Sequence, residues 1–310
     1  MKLISVVSPC FNEEDNVEEC YRQVRAMLKR FPQFSYEHIF IDNNSQDNTV
    51  NILKRLAAQD KNLKIIVNSR NFGHLRPALH AFFCSQGDAV IVMASDLQDP
   101  PALIPELISK WEQGFKVVKA VKKNSQESFG IKHVRKIFYI VINRLSEVEL
   151  TKNFNGYGLY DRIVIEAFKT INDPYPFLRG LASEVGYPQA NVEFVKPGRR
   201  HGITKNNFYT LYDVAMLGIV NHSKIPLRLT IFLGFFSAGV SFMVGLIYLT
   251  YKLLNWETFQ VGIAPLVIGV FFMMSVILIF LGIIGEYVGA ILTQVQRRPL
   301  VFEKERINFD

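Results

Sequence analysis

The stretch LISVVSPCFNEEDNVEECYRQVRAML, residues 3–28, decides the fold. Its first six residues, Leu3–Ser8, are rich in β-branched apolar side chains (Ile4, Val6 and Val7), as a buried strand requires. The chain then breaks into the polar run Pro9-Cys-Phe-Asn-Glu-Glu14. Apolar residues resume at helical spacing with Val17, Tyr21, Val24 and Leu28. Asn12 is expected to cap this helix, with Glu13, Glu14 and Asp15 in its first turn near the positive end of the helix dipole. Strand, polar loop and amphipathic helix make the opening of a βαβ unit.

The same alternation continues outward. Further strands are read at His38–Ile41, Leu63–Val67, Ala89–Met93 and Lys116–Val121. Helices are read at about Thr49–Gln59, with Leu53, Leu56 and Ala57 on one face, and at about Leu75–Cys84, ending before Gly87. Regular alternation predicts a Rossmann-like α/β fold: a mostly parallel sheet, helices on both faces and right-handed crossovers. Beyond residue 125 the pattern weakens. Residues 131–146 and 161–171 read as helical, and 172–203 as loops around short strands. Residues 206–222, with Phe208, Leu211, Tyr212, Ala215 and Ile219 at helical spacing, read either as a helix lying on a bilayer or as an ordinary packing helix.

Two uncharged apolar runs come next, Leu229–Tyr251 and Val261–Gly285. Each exceeds 18 residues and, as a helix, spans roughly 34–38 Å, enough to cross a hydrocarbon core of about 30 Å. The organisation expected is an α/β domain over 1–205, a juxtamembrane amphipathic helix over 206–228, a transmembrane hairpin over 229–292 and a C-terminal tail over 293–310.

The 310-residue chain has a net charge of +7, unevenly placed. Segment 116–136 carries a net +6 and segment 196–228 a net +5. The loop from Lys252 to Gln260 is neutral, while Arg297 and Arg298 lie beyond the second run. The positive-inside rule then puts both ends of the hairpin in the cytosol. The opening Met1-Lys2 leads into an apolar stretch too brief for a signal peptide, so the N-terminal domain is also expected there. The basic segments suit anionic lipid, nucleic acid or a phosphorylated substrate. Their adjacency to the spans favours lipid or lipid phosphate, and no nucleic-acid-binding motif accompanies them. Cys10, Cys20 and Cys84 lack metal-ligand spacing and read as free thiols. His38, His80, His133 and His222 read as structural or surface residues, and Glu286 as an interfacial one.

Ligands of parallel α/β sheets bind at the carboxyl ends of the strands. Four strands here end in Pro9-Cys-Phe-Asn-Glu-Glu14, Asp42-Asn-Asn-Ser-Gln-Asp47, Asn68-Ser-Arg-Asn-Phe-Gly-His74 and Ala94-Ser-Asp-Leu-Gln-Asp-Pro-Pro101. Clustered carboxylates and amides on one edge suit a polar ligand with a divalent cation. Neither a GxGxxG nor a P-loop pattern is present, so phosphates must be neutralised differently. Asp96 and Gln98 can supply oxygen ligands to Mg²⁺ or Mn²⁺; Asp96 equally suits a plain turn before Pro100-Pro101.

Taken in order, Ser5-Val-Val-Ser-Pro-Cys-Phe-Asn-Glu-Glu14, Ile41-Asp-Asn-Asn-Ser-Gln-Asp-Asn-Thr49, Asn71-Phe-Gly-His74 and Asp96-Leu-Gln-Asp-Pro-Pro101 resemble the signatures of family 2 glycosyltransferases with the GT-A fold. Asn206-Asn-Phe-Tyr-Thr-Leu-Tyr-Asp213, Gly285-Glu-Tyr-Val-Gly-Ala-Ile291 and Arg298-Pro-Leu-Val301 extend the resemblance to polyprenyl-phosphate glycosyltransferases of the bactoprenol glucosyltransferase type. The resemblance implies that Pro9, Phe11 and Glu13 line a nucleotide site, with Phe11 stacking on the base and Asp42 accepting its imide N–H. It implies that Asn71 and Gly73 approach the nucleotide or diphosphate, and that Asp96, beside Gln98, holds the metal. Two departures stand out. Adjacent aspartates and a glycine are usual where this chain has Asp42-Asn43-Asn44, and Asp-x-Asp is usual where it has Ala94-Ser95-Asp96.

The implied reaction is inverting hexose transfer to undecaprenyl-type phosphate at the cytosolic face of a bacterial plasma membrane, with UDP-glucose as donor by resemblance alone. Mannose, aminosugar and modified arabinose donors stay open. A phosphate acceptor is already ionised near pH 7 and needs cations rather than a base. Arg199, Arg200, His201 and Lys205 are the first candidates to hold it, Lys132 and Arg135 the second; the two arginines equally suit anionic headgroups. A homo-oligomer is implied, with the tail Pro299–Phe309 able to pair between subunits. Two rival readings exist. A processive polysaccharide synthase needs a QxxRW motif, and neither Trp111 nor Trp256 sits in one. A decayed nucleotide-sugar-binding membrane protein would bind without metal-dependent turnover.

Overall fold

The computed structural model describes residues 1–123, 151–171, 173, 178–197, 216, 220, 225–255 and 263–309. Its N-terminal half alternates β1 (Lys2–Cys10), α1 (Val17–Leu28), β2 (Phe34–Asp42), α2 (Thr49–Gln59), β3 (Leu63–Asn68), α3 (Arg76–Cys84), β4 (Ala89–Val92), α4 (Ile104–Glu112) and β5 (Val117–Lys122). Then come β6 (Phe154–Asp161), α5 (Arg162–Ile171), α6 (Leu178–Glu184), β7 (Gln189–Phe194), the long helices α7 (Ile225–Leu254) and α8 (Ile263–Gln296), and β8 (Glu303–Ile307).

One sheet of eight strands runs in the order β7-β5-β6-β4-β1-β2-β3-β8. β4, β1, β2 and β3 are parallel neighbours. β6 enters antiparallel between β4 and β5, and β7 runs parallel to β5. Strand alternation divides the core in two. Ile4, Val6, Phe40 and Ile91 face α1 and α4. Val7, Ile39, Ile41, Val90 and Val92 face α3 and α5. The helices meet the sheet along stripes such as Val17, Cys20, Tyr21, Val24 and Leu28 of α1. The middle strands are buried on both faces, which is why they read as apolar runs rather than alternating ones.

Three expectations change. β1 and β2 run on to Cys10 and Asp42, so Pro9 and Asp42 are strand residues and not loop residues. Asn12 does not cap α1: it has a left-handed φ of 54° and belongs to the preceding turn, and Asn16 stands at the N-cap position. The tail does not wait for another subunit. Its β8 pairs antiparallel with β3 of its own chain, Ile65 opposite Ile307 and Val67 opposite Glu305. Both ends of the chain therefore contribute to one sheet.

The stretches Ile225–Leu254 and Ile268–Gln296 are long and apolar enough to cross a membrane, and almost nothing in them is buried by the protein itself. They pack as an antiparallel pair: Gly234 lies against Phe280, and Ser241 against Met273. α8 continues well past the apolar run and includes Glu286. Of the expected 206–228 helix, all but a few residues lie outside the described residues.

Candidate active site

The parallel register brings the polar strand ends to one edge. Cys10 at the end of β1 lies opposite Asp42 at the end of β2. On the other side of β1, Ser95 donates its Oγ hydrogen to the Pro9 carbonyl at 3.0 Å. Asp42 at the end of β2 and the loop after β4 that carries Asp96 thus flank the end of β1 on either side.

The loops after β1 and β2 clamp each other. The Asn12 N–H donates to Ser45 Oγ at 2.8 Å, and the Gln46 N–H donates to Asn12 Oδ1 at 2.8 Å. The Glu13 N–H donates to Thr49 Oγ1 at 2.9 Å, and the Asn48 N–H to Glu14 Oε2 at 2.9 Å. Glu13 itself accepts from Asn16 Nδ2 at 2.6 Å. Phe11 and Glu13 remain half-buried at the rim of this platform.

Asp42 is fully buried. Burial raises its carboxyl above the usual range, and hydrogen bonds from Ser45 and the Asn44 backbone partly offset that. The Ser45 N–H donates to Asp42 Oδ2 at 2.9 Å. Burial also raises the Cys10 thiol well above its ordinary value, so it stays protonated beside Asp42.

Asn43 organises the loop after β3. Its Oδ1 accepts from the Phe72 N–H at 3.0 Å and from Asn68 Nδ2 at 3.2 Å. Its Nδ2 donates to Asn71 Oδ1 at 2.9 Å and to the Gly73 carbonyl at 2.8 Å. The Gly73 N–H closes the turn onto Asn71 Oδ1 at 2.8 Å. Gly73 takes φ +84°, where a side chain is strained whatever the space around it. The Asn71 oxygen is therefore spent holding the loop, and the loop turns outward its backbone and the exposed Gly73.

Asp96 and Gln98 are half-buried on the loop after β4. Asp96 Oδ1 accepts the Gln98 N–H at 3.1 Å across Leu97, which has a left-handed φ of 60°. Asp99 fixes the loop from below: its Oδ2 accepts the Ala94 N–H at 3.1 Å and its Oδ1 accepts Asn155 Nδ2 at 3.0 Å. Tyr157 OH donates to the Pro100 carbonyl at 2.7 Å. Burial raises the Asp99 carboxyl, partly countered by the Ala94 and Asn155 hydrogen bonds and the charge of Lys122, while Asp96 pushes it further up. Glu13, Asp96 and Asp99 also act together on the buried Cys20 thiol, which burial pushes up to about 12.

The edge thus gathers Pro9, Phe11, Glu13, Asp42, Asn71, Gly73, Asp96 and Gln98. Lys132, Arg135, Arg199, Arg200, His201 and Lys205 lie outside the described residues. Asn43, Ser45, Ser95 and Asp99 also hold this edge together by hydrogen bonds. Each already stood in a polar strand end, but only the fold shows which way it turns. Asn155, which steadies Asp99 from β6, had no sequence signal.

The geometry fits a cation. Asp96 offers hard oxygen on a loop pinned by Ser95 and Asp99, and one or two carboxylates with phosphate oxygens and water is the usual set for Mg²⁺ or Mn²⁺.

The family model described as Glycosyl transferase family 2 matches residues 5–169. An uncharacterized glycosyltransferase of Bacillus subtilis is 34% identical over 297 residues, 96% of this chain and 91% of the relative. The bactoprenol glucosyl transferase of Shigella phage SfII is 35% identical over 298 residues, 96% of each chain. Among solved structures, a mannosyltransferase from Pyrobaculum calidifontis in complex with GDP-Man and Mn²⁺ is 14% identical, with a TM-score of 0.48 over 73% of this chain and 64% of that one.

Proposed function

This chain belongs to glycosyl transferase family 2, and from that premise we propose that it transfers glucose from UDP-glucose to undecaprenyl phosphate at the cytosolic face of a bacterial plasma membrane. The observation that carries the reading is the single edge on which Asp42 and the loop bearing Asp96 flank the end of β1, in a chain that also holds two apolar helices of membrane-spanning length. The choice of lipid and sugar is supported by relatives named for bactoprenol and glucosyl transfer over nearly their whole length.

In the reaction, an ionised oxygen of the lipid phosphate attacks the anomeric carbon. The bond from that carbon to the β-phosphate oxygen breaks, its electron pair leaves with UDP, and the configuration inverts. No general base is needed, because a phosphate monoester is already largely ionised near pH 7. Phe11 stacks on the base, the buried Asp42 holds the Ser45 turn of the rim rather than reaching the imide N–H itself, and the loop held by Asn43 brings the Gly73 backbone to the diphosphate. Asp96, with Gln98 beside it, would hold Mg²⁺ or Mn²⁺, which would supply positive charge against the leaving diphosphate. Arg199, Arg200, His201 and Lys205, with Lys132 and Arg135, hold the acceptor phosphate.

The test uses full-length protein in detergent or native membranes, polyprenyl phosphate and a panel of labelled nucleotide-sugars, with product mass as readout. Labelled lipid is expected with UDP-glucose, abolished by a chelator and restored by Mg²⁺ or Mn²⁺. Asp96→Ala is expected to lower turnover by two or more orders of magnitude, in the range lost when one stabilising group is removed from a charged transition state, with an unchanged circular dichroism spectrum. A different productive donor reassigns the sugar. No labelled lipid with any donor overturns the enzyme reading, and nucleotide binding by the wild-type protein without turnover, left unchanged by Asp96→Ala, supports the decayed binder.

A further inference from the structure

Where the C-terminal strand crosses α3, three metal-ligating side chains meet away from the strand-end edge. His80 and Cys84 stand one turn apart on α3 and so share a face. Glu303 is the first residue of β8. His80 Nε2 lies 2.5 Å from Glu303 Oε1 and 3.6 Å from Cys84 Sγ. The three ligand atoms lie within 4.8 Å of one another, and all three residues are half-buried.

A cation already occupies this corner. The Arg306 guanidinium places Nη2 2.6 Å from Glu303 Oε1 and 3.4 Å from Cys84 Sγ, and Nε 2.8 Å from Glu303 Oε2. It therefore touches two of the three ligands. Its side chain is 43% exposed and also packs over the Phe309 ring at 4.8 Å, so it can leave the ligands without losing every contact.

The spacing suits a tetrahedral ion. With Zn–S near 2.3 Å and Zn–N near 2.0 Å, a shared ion holds sulfur and nitrogen about 3.5 Å apart, close to the separation found. Oxygen and nitrogen ligands would stand about 3.3 Å apart, so Glu303 must withdraw by under about 1 Å. A thiolate and a carboxylate balance a divalent charge, and imidazole completes a soft set unlike the hard oxygens around Asp96.

We propose that His80, Cys84 and Glu303 form a site for a soft divalent cation of the Zn²⁺ class, which Arg306 fills in the metal-free protein and vacates when the ion enters. Binding releases the Cys84 thiol proton and leaves the fourth position to water. The ion then bridges β8 to α3, the helix that comes after the Asn71–Gly73 loop. The C-terminal strand, the last element after the long helices, becomes fixed to the side of the sheet that carries the strand-end site.

Co²⁺ serves as the probe, because a thiolate ligand gives it a charge-transfer band that carboxylates and water do not. Metal-stripped full-length protein in detergent is titrated with Co²⁺ and then back-titrated with Zn²⁺. One equivalent of a thiolate–cobalt band is expected, bleached by Zn²⁺, lost in Cys84→Ser and His80→Ala, and retained in Asp96→Ala. Arg306→Gln is expected to bind about tenfold more tightly, since the ion no longer displaces a bidentate charged pair. No band, or a band that survives Cys84→Ser, overturns the site. An affinity unchanged in Arg306→Gln overturns the exchange with arginine.

Discussion

Asn43 shows how one residue type is chosen by its donors. Family 2 signatures usually carry a second aspartate here, yet this side chain donates twice and accepts twice. An aspartate would keep both accepted bonds, lose both donated ones and set a carboxylate against the Gly73 carbonyl. At about 1 kcal/mol for each lost bond, and more for the unpaired carbonyl, the folded loop loses about 2–3 kcal/mol. Asn43→Asp should therefore raise the KM for the nucleotide-sugar roughly thirtyfold or more, while kcat changes far less. Steady-state kinetics with saturating lipid acceptor check this, and an unchanged KM would show that the donor does not depend on the loop. Asn44 fits the same logic: where glycine is usual, it takes φ +66°, a conformation asparagine tolerates better than other side chains. Both departures from the family pattern were visible in the sequence. Their meaning was not, because it rests on partners up to about thirty residues away.

At the scale of elements, legibility tracked burial. β1 through β4 are short apolar runs separated by amphipathic helices, so a local pattern announced each one. β6 did not announce itself. FNGYGLYD holds two glycines, two tyrosines and a terminal aspartate, and it becomes a strand by pairing with β4 and β5, both distant in sequence. β8 was harder still, since EKERI has four charged residues of five and lies at the sheet edge, where charge is the common defence against further pairing. Its hold comes from the residue just beyond its end. Asn308, at φ +59°, donates from Nδ2 to the Ala57 carbonyl at 2.9 Å and the Leu63 carbonyl at 2.8 Å, closing the C-terminal end of α2. Asn308→Ala should lower stability by about 1–2 kcal/mol and loosen the tail. Thermal unfolding should fall by roughly 2–8 °C for a domain of this size, and limited proteolysis should reach residues 299–310 sooner. Equal melting and equal cleavage would mean that β3 pairing alone secures the strand.

For the molecule as a whole, the sheet constrains the membrane part. β1 through β7 precede the long helices and β8 comes after them, yet β8 is hydrogen-bonded to β3. If the two long helices cross a bilayer as proposed, the chain would leave and return on one side, and the antiparallel pair α7 and α8 would supply the two crossings. α8, at 34 residues, is about 50 Å long, so its last turns extend past a hydrocarbon core of about 30 Å. There Gln294 Nε2 donates to Asp173 Oδ1 at 2.8 Å, tying the end of the helix to the domain. Arg228 enters the hairpin and Arg297 and Arg298 leave it, whereas the connecting segment balances Lys252 with Glu257. On the proposed reading, the charge rule would place the domain in the cytosol and the connection on the far side. Native Cys10 and Cys20 are buried, so introduced thiols can report sidedness. In intact cells, an impermeant maleimide should label Glu257→Cys and leave Lys304→Cys untouched until the membrane is opened, with Cys84→Ser as the background for both. Labelling of both positions from outside, or of Lys304→Cys alone, would reverse the assignment. Either result would also remove the sheet edge from the compartment in which nucleotide-sugars are made, and the proposed reaction would fall with it.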